Sequence, residues 1–317
     1  MTYTVGVDFG GTNIKIGLVD ARGCIVRKRV LSSRGAAQPA AFITGVAEAV
    51  RALCRAAGLR PRRLRGIGVG VPGQVDVARG VAHHLVNVPG WREVPLANRL
   101  AQHLGCPCAV DNDANVFTLA EWRVGAGRGT RDLIGLTLGT GVGGGLIVNG
   151  ALARGAAGAA GEIGHMVVDP TGPRCGCGRR GCWEALVGTA AVIRSARQVM
   201  RRRAGPLRTL GRYRPLTPAL VSEAARRGDA GARAIWHDVG RWLGVGLTNL
   251  VHVLNPQRIV IGGGVANAWP FFEPAMRRTL RQEVLAVSAK AVRIVRARLG
   301  EEAGIVGAAV LVWEETR

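Results

Sequence analysis

The chain has 317 residues, more than a single hydrophobic core usually serves, so two packed lobes with a cleft between them are expected. Hydrophobic residues make up 48% of it and glycine is frequent, which fits a globular α/β protein and argues against disorder. The formal net charge of +22 raises nucleic-acid and anionic-membrane binding, but the arginines are mostly dispersed and the aromatics that stack on bases are only 4%, so solvated surface charge is expected, with no nucleic acid and no membrane as partner.

The opening Met-Thr-Tyr-Thr-Val-Gly-Val-Asp runs directly into a strand without the pattern of a leader peptide. No apolar run reaches the roughly 20 residues that cross a bilayer, and a cytosolic protein is expected. Residues 3 to 9 and 14 to 20 read as a hairpin around Gly10-Gly11-Thr12-Asn13. Helical spacing follows over 39 to 58, then a buried strand over 66 to 71 ending at Pro72-Gly73, then a short amphipathic helix over 95 to 104. Cys108 to Val110 reads as a strand that delivers Asp111-Asn112-Asp113 ahead of a helix over about 114 to 124.

Residues 132 to 138 and 145 to 149 flank a second glycine run, Gly139-Thr140-Gly141-Val142-Gly143-Gly144. Laid over the first hairpin without a gap, it brings Gly6 onto Gly135, Gly10 onto Gly139 and Asp20 onto Asn149, a weak internal repeat. Each hairpin opens one half of the chain, so the simplest architecture is two α/β lobes that each present a glycine loop to a shared cleft. Arginine is dense at 55 to 65 and at 201 to 214, and the second stretch reads as a loop because Pro206, Gly211 and Pro215 interrupt it. A long helix over 232 to 254 is stopped by Asn255-Pro256, followed by a strand at 258 to 261 and the turn Gly262-Gly263-Gly264. The expected division is a small lobe over 1 to 115, a large lobe over 116 to 299, and a C-terminal helix within 300 to 317 that packs back on the small lobe.

A phosphate loop presents backbone N–H groups with no Cβ in the way, and Gly10-Gly11-Thr12 and Gly139-Thr140-Gly141 both meet that need. Neither is a P-loop or a Rossmann turn, since no Gly-Lys-Ser/Thr follows and neither leads from a strand into a helix. Asp8 ends the first strand where a carboxylate can hold a metal-bound water. Three thiols in eight residues, Cys175, Cys177 and Cys182, with His165 ten residues before the first, make a complete tetrahedral shell for a structural zinc ion. Cys24, Cys54, Cys106 and Cys108 read as free thiols of a reducing compartment. A carboxylate at the end of a strand and before a helix can take the proton of an attacking hydroxyl; Asp113 fits, Asp111 is its rival, and the residues alone leave the choice open.

In order along the chain, Asp8-Phe9-Gly10-Gly11-Thr12, Asn112-Asp113-Ala114-Asn115, Leu138 to Gly145, Gly161-Glu162-Ile163-Gly164-His165, the cysteine run ending at Glu184, Gly262-Gly263-Gly264 and Leu299 to Gly304 resemble the ROK family of repressors and sugar kinases, nearest its bacterial glucokinases. The resemblance implies a two-lobed actin/hexokinase-like (ribonuclease H-like) ATPase fold and phosphorylation of glucose at its 6-hydroxyl by ATP, carried with Mg²⁺. It places the general base on Asp113 and the sugar contacts on Gly73, Asn112, Glu162, His165 and Glu184. It places ATP contacts on Asp8, Gly10, Gly11, Thr12, Lys15, Thr140, Gly141, Gly263 and Gly264. His165 then serves twice, one ring nitrogen on zinc and the other toward the sugar. A homodimer or homotetramer is implied as well.

Two positions depart from the family pattern: Ala157 stands where an asparagine is common, and Val187 where Ser precedes Gly188. Ala157 and the Asn87 to Trp91 loop leave N-acetylglucosamine or N-acetylmannosamine as alternative sugars. The third reading is a sugar-responsive repressor; with the first hairpin starting at residue 3, no helix-turn-helix is expected ahead of it.

Overall fold

Val5, Val7 and Phe9 alternate along one short run and are wholly buried, the pattern of a strand with a covered face. They lie in a computed structural model that describes residues 2–36, 38–85, 88 and 90–315. Its first elements are β1 (Tyr3–Phe9), β2 (Asn13–Asp20), β3 (Ile25–Ser32), α1 (Pro39–Ala56), β4 (Gly66–Val71), β5 (Gly73–Asp76), β6 (Val81–Leu85), β7 (Arg92–Val94), α2 (Leu96–Leu104), β8 (Cys108–Asn112) and α3 (Asp113–Arg123). There follow β9 (Leu133–Leu138), β10 (Val142–Val148), β11 (Ala151–Ala153), α4 (Trp183–Val187), α5 (Thr189–Arg202), α6 (Pro206–Tyr213), α7 (Pro218–Arg226) and α8 (Ala230–Leu254). The chain closes with β12 (Arg258–Gly262), α9 (Trp269–Glu283), α10 (Ala286–Ala291), β13 (Arg293–Arg296) and α11 (Ala303–Glu315). No helix among the described residues is long and apolar enough to cross a membrane.

The chain forms two compact units, one of residues 1–131, 145–161 and 297–317, the other of 132–144 and 162–296. This differs from a break at 115/116. The strand that carries Asp111 to Asn112 leads without a turn into α3, and α3 packs on α11 inside the first unit.

The first unit holds a sheet of order β3-β2-β1-β4-β8, in which β1 and β2 are antiparallel and β1, β4 and β8 run parallel. A second five-stranded sheet has the order β11-β10-β9-β12-β13, with β12 parallel to both β9 and β13. The two sheets therefore share one plan, a hairpin whose first strand is extended by two parallel strands, and this is the physical content of the weak repeat. A smaller sheet, β5-β6-β7, belongs to the first unit.

In the first unit α1 covers the sheet, burying Phe42, Ile43, Val46, Val50 and Leu53. Phe42 stacks on Phe9 at 4.6 Å between ring centroids, and Trp91 closes the cluster at 5.5 Å from Phe9 and 5.2 Å from Phe42. Trp91 is thus a core residue; Asn87 and Pro89, of the loop offered as an acetamido site, lie outside the described residues. Nearly every position of α11 from Ala303 to Val312 is buried, and the helix lies against β1, β4 and α3. It comes so close that a Cβ at Gly68 would overlap the Ala308 carbonyl and one at Gly6 the Ile305 carbonyl.

Two stretches differ from the reading of the sequence. The arginine-rich 201–214 segment is not a loop: α5 runs to Arg202 and α6 occupies Pro206–Tyr213. Pro206 stands at the start of α6, where a missing N–H costs nothing, and the Asp229 carboxylate accepts from the next amide, Leu207 N, at 2.8 Å. The second hairpin turns within Gly139 to Gly141, and Val142, Gly143 and Gly144 already belong to β10.

Candidate active site and metal centre

In the first unit, β8 ends on three consecutive polar residues that separate by environment. Asp111 is 1% exposed and fully engaged: Asn115 Nδ2 donates to its Oδ1 at 2.8 Å, Asn112 N to the same oxygen at 2.7 Å, and Arg154 Nε to Oδ2 at 2.9 Å. Asn112 caps α3, its Oδ1 accepting from Ala114 N at 2.8 Å, while its Nδ2 donates to the Gly73 carbonyl at 3.0 Å. Gly73 has φ +143°, and a Cβ there would overlap the His84 carbonyl, so no larger residue fits. Asp113 is the first residue of α3 and is exposed; Ala114 N donates to its Oδ1 at 2.9 Å. Of the two carboxylates, Asp113 is the one presented to solvent at the positive end of a helix.

The first glycine loop closes through Gly10 N donating to the Asn13 carbonyl at 3.0 Å. It is braced by Ser33, whose Oγ donates to the Gly10 carbonyl at 2.7 Å and whose N donates to the Thr12 carbonyl at 3.0 Å. Ser33 has no distinguishing sequence signal, since it lies 23 residues from Gly10 in a polar stretch. Asp8 and Lys15 face one another across the β1–β2 register. Burial pushes the Asp8 carboxyl above its ordinary range, and the Lys15 ammonium pulls it part of the way back. Lys15 Nζ is 3.2 Å from Glu301 Oε2, an ion pair open to solvent. The segment before Glu301 is held by Glu121, fully buried, which accepts from Ala126 N at 2.8 Å, Arg298 N at 3.0 Å and Leu299 N at 2.8 Å.

In the second unit, the Gly139–Gly141 turn is tied at two points. Thr189, at the start of α5, donates to the Gly139 carbonyl through Oγ1 at 2.7 Å and through N at 3.0 Å. Glu184 Oε2 accepts from Val142 N at 3.0 Å. Gly263 packs against Leu138, the residue before the turn, so Thr140, Gly141, Gly263 and Gly264 gather at one end of β9 and β12.

His165, Cys175, Cys177 and Cys182 converge, with their ligand atoms all within 4.8 Å of one another. Cys177 Sγ and Cys182 Sγ are 3.6 Å apart, and His165 Nδ1 and Cys175 Sγ 3.7 Å. A tetrahedral zinc with bonds of about 2.3 Å to sulfur and about 2.1 Å to nitrogen spaces its ligands by about 3.6–3.8 Å, so the residues fit that ion. The Arg179 amide and guanidinium bring the Cys177 thiol down to about 6, whereas burial pushes Cys175 up to about 12. With Nδ1 turned to the sulfurs, His165 Nε2 faces Glu162 Oε2 at 3.9 Å. The cysteine loop is anchored by Trp183, wholly buried, whose Nε1 donates to the Trp242 carbonyl at 2.8 Å.

The positions that depart from the family pattern differ in setting. Ala157 is exposed in the segment after β11, and Val187 is part of the core.

A paired set of glycine turns on two sheets of one plan, a strand-end carboxylate before a helix and a Cys₃His cluster with the spacing of a metal site together define the class of α/β protein to which the chain is compared. The chain belongs to the ROK family, whose model matches residues 4–315. It is similar to the glucokinase of Halalkalibacterium halodurans, 35% identical over 316 residues that cover 99% of this chain and 96% of that one. Among solved structures it is similar to a ROK family glucokinase from Streptomyces griseus in complex with glucose and AMPPNP, at 35% identity and TM-score 0.83 over 98% of this chain and 99% of that one. The ROK hexokinase from Thermus thermophilus has 34% identity and TM-score 0.82 over 99% of both chains. The two-lobed actin-like fold expected from the motifs is the fold of these relatives.

Proposed function

We propose that the protein is an ATP-dependent hexose kinase that phosphorylates glucose at its 6-hydroxyl. The observation that carries the reading is the division of labour at the end of β8. Asp111 is buried and bound to Arg154 and Asn115, Asn112 caps α3 and bonds Gly73, and Asp113, whose Oδ1 accepts from Ala114 N, is the exposed carboxylate at the start of α3. Full-length similarity to glucokinases supports the substrate.

In this reading Asp113 accepts the proton of the 6-hydroxyl as that oxygen attacks the γ-phosphorus in line and ADP departs. Gly73, Asn112, Glu162, His165 and Glu184 hold the sugar hydroxyls. Backbone amides of Gly10, Gly11 and Thr12 and of Thr140 and Gly141 take the phosphates of Mg-ATP, with Asp8 and Lys15 beside the first loop and Gly263 and Gly264 on the adenosine side. His165, Cys175, Cys177 and Cys182 would hold a zinc ion, which would supply a rigid crosslink and no reacting group, and His165, with Nδ1 toward the sulfurs, turns Nε2 to the substrate.

The test is ADP release from Mg-ATP with glucose, N-acetylglucosamine, N-acetylmannosamine, mannose and fructose, run beside Asp113→Asn. Glucose is expected to be preferred, and the substitution to lower kcat by about 10²–10⁴-fold with sugar binding retained. Turnover that survives the substitution would remove Asp113 as base, and preference for an acetylated sugar would replace glucose.

A further inference from the structure

Glu184 sits between two features that the proposed function treats separately, the metal cluster and the second phosphate turn. Its Oε2 accepts from Val142 N at 3.0 Å, and its Oε1 is 3.5 Å from the sulfur of Cys175. The same carboxylate fills the space where a side chain at Gly141 would begin, so Gly141 and Glu184 are packed against each other. Glu184 is the second residue after Cys182 and belongs to the first turn of α4. That helix is fixed by Trp183, and the residue after its end, Gly188, packs beside the Thr140 carbonyl. The whole chain of contacts, from the four metal-binding side chains through Glu184 to Val142 N, lies within the second unit.

We infer that Glu184 is a positioning residue for the nucleotide: its carboxylate, set by the cysteine loop, holds the Thr140-Gly141-Val142 backbone in the shape that receives phosphate. This rests on the reading of Gly139–Gly141 as a phosphate turn and adds a function to a side chain so far given only to the sugar. The logic is one of orientation. A glycine turn has many backbone states, and only those with converging amides bind an anion. Fixing Val142 N removes states from that set before ligand arrives, which raises affinity without any contact to the nucleotide. Metal binding acts on the same element at one remove, because four ligands on one ion leave the Cys182 to Glu184 segment no freedom to shift.

Three variants test the idea on the metal-loaded full chain. Glu184→Ala removes the acceptor of Val142 N. Glu184→Gln keeps an acceptor oxygen while changing the charge. Gly141→Ala forces the carboxylate off its place from the other side. Two readouts are taken, amide hydrogen exchange at Val142 and the Kd for ADP without sugar. Glu184→Ala and Gly141→Ala are expected to lose protection at Val142 and to weaken ADP binding about tenfold or more, the range for a lost hydrogen bond to a charged group. Glu184→Gln is expected to restore both. In the Glu184→Ala background, Gly141→Ala should add little, since the group it displaces is gone. Removal of zinc from the unsubstituted protein by a chelator is expected to lower Val142 protection in the same way.

Unchanged exchange at Val142 in Glu184→Ala, or lost protection with an unchanged ADP Kd, would overturn the inference. Should Glu184→Ala fail to fold, Gly141→Ala alone decides, through the same two readouts. Because neither readout needs a sugar to be phosphorylated, failure here is distinct from failure to find hexose kinase activity.

Discussion

Asp111 and Asp113 are two positions apart and chemically identical, yet one is a strut and the other is offered as a base. What separates them is Arg154, 43 residues from Asp111, and Asn115 in the first turn of α3. No local pattern encodes the Arg154 contact, which is why the residues alone left the choice open and the family resemblance was needed to make it. Asp111→Ala is expected to cost about 3 kcal/mol of stability by stranding Arg154, the low end for a broken buried pair because Arg154 is 28% exposed. A denaturant titration at neutral pH reads this directly.

Asp8 makes the opposite prediction about stability. Its carboxyl is raised by burial, so the folded state holds its proton to higher pH than the unfolded chain does. Its contribution to stability is complete below the unfolded value of 3.8 and is lost as pH rises through the folded one. Asp8→Asn is therefore expected to raise the thermal midpoint of the ligand-free protein at pH 7 and to lose this advantage as pH falls toward 4, while abolishing phosphoryl transfer. Equal midpoints at pH 7 would count against a strained, functional carboxylate.

Among elements, those with a clear period were legible: the two hairpins, α1, β4, α2, α8 and α11 fall within a few residues of their expected places. Helix α6 was not, because a proline and a glycine inside an arginine run read as breakers. Pro206 begins the helix instead, and Asp229, which caps α6 and α8 together, is 23 residues further on. The glycines of β10 misled in a similar way. Gly143 and Gly144 look like turn residues and are in a strand, and the Cβ of a residue at 145 would overlap Thr118 Oγ1. The seat of α11 depends on glycine too. Gly68→Ala would drive the β4 backbone away from Ala308, and a loss of about 3 kcal/mol, the upper range for overpacking, is expected in chemical denaturation, with Gly68→Ser no better.

For the molecule as a whole, the sequence suggested a duplicated plan, and the sheets share it. It did not show how the chain is partitioned. Residues 145–161 and 297–317 rejoin the first unit from either side of a long insertion, and such returns have no compositional mark. The His165, Cys175, Cys177 and Cys182 cluster is confined to the second unit, so removal of a metal held there should be felt in that unit. One zinc per chain is expected by elemental analysis, falling to none in Cys182→Ala. Chelation should lower the midpoint of thermal unfolding, read by calorimetry, and Cys182→Ala should lower it as far with no further effect of the chelator.

The burial of α11 against β1, β4 and α3 also orders events during synthesis. The sheet of the first unit is made early, but the face that Gly6 and Gly68 open for Ile305 and Ala308 stays bare until translation has passed residue 309. Residues 162–296, by contrast, have all left the peptidyl-transferase centre by then and have no need of α11 to close. The half of the protein that begins first is thus the half that finishes last, and until α11 is made one face of its sheet, the one opposite α1, is open to a chaperone or a neighbouring chain.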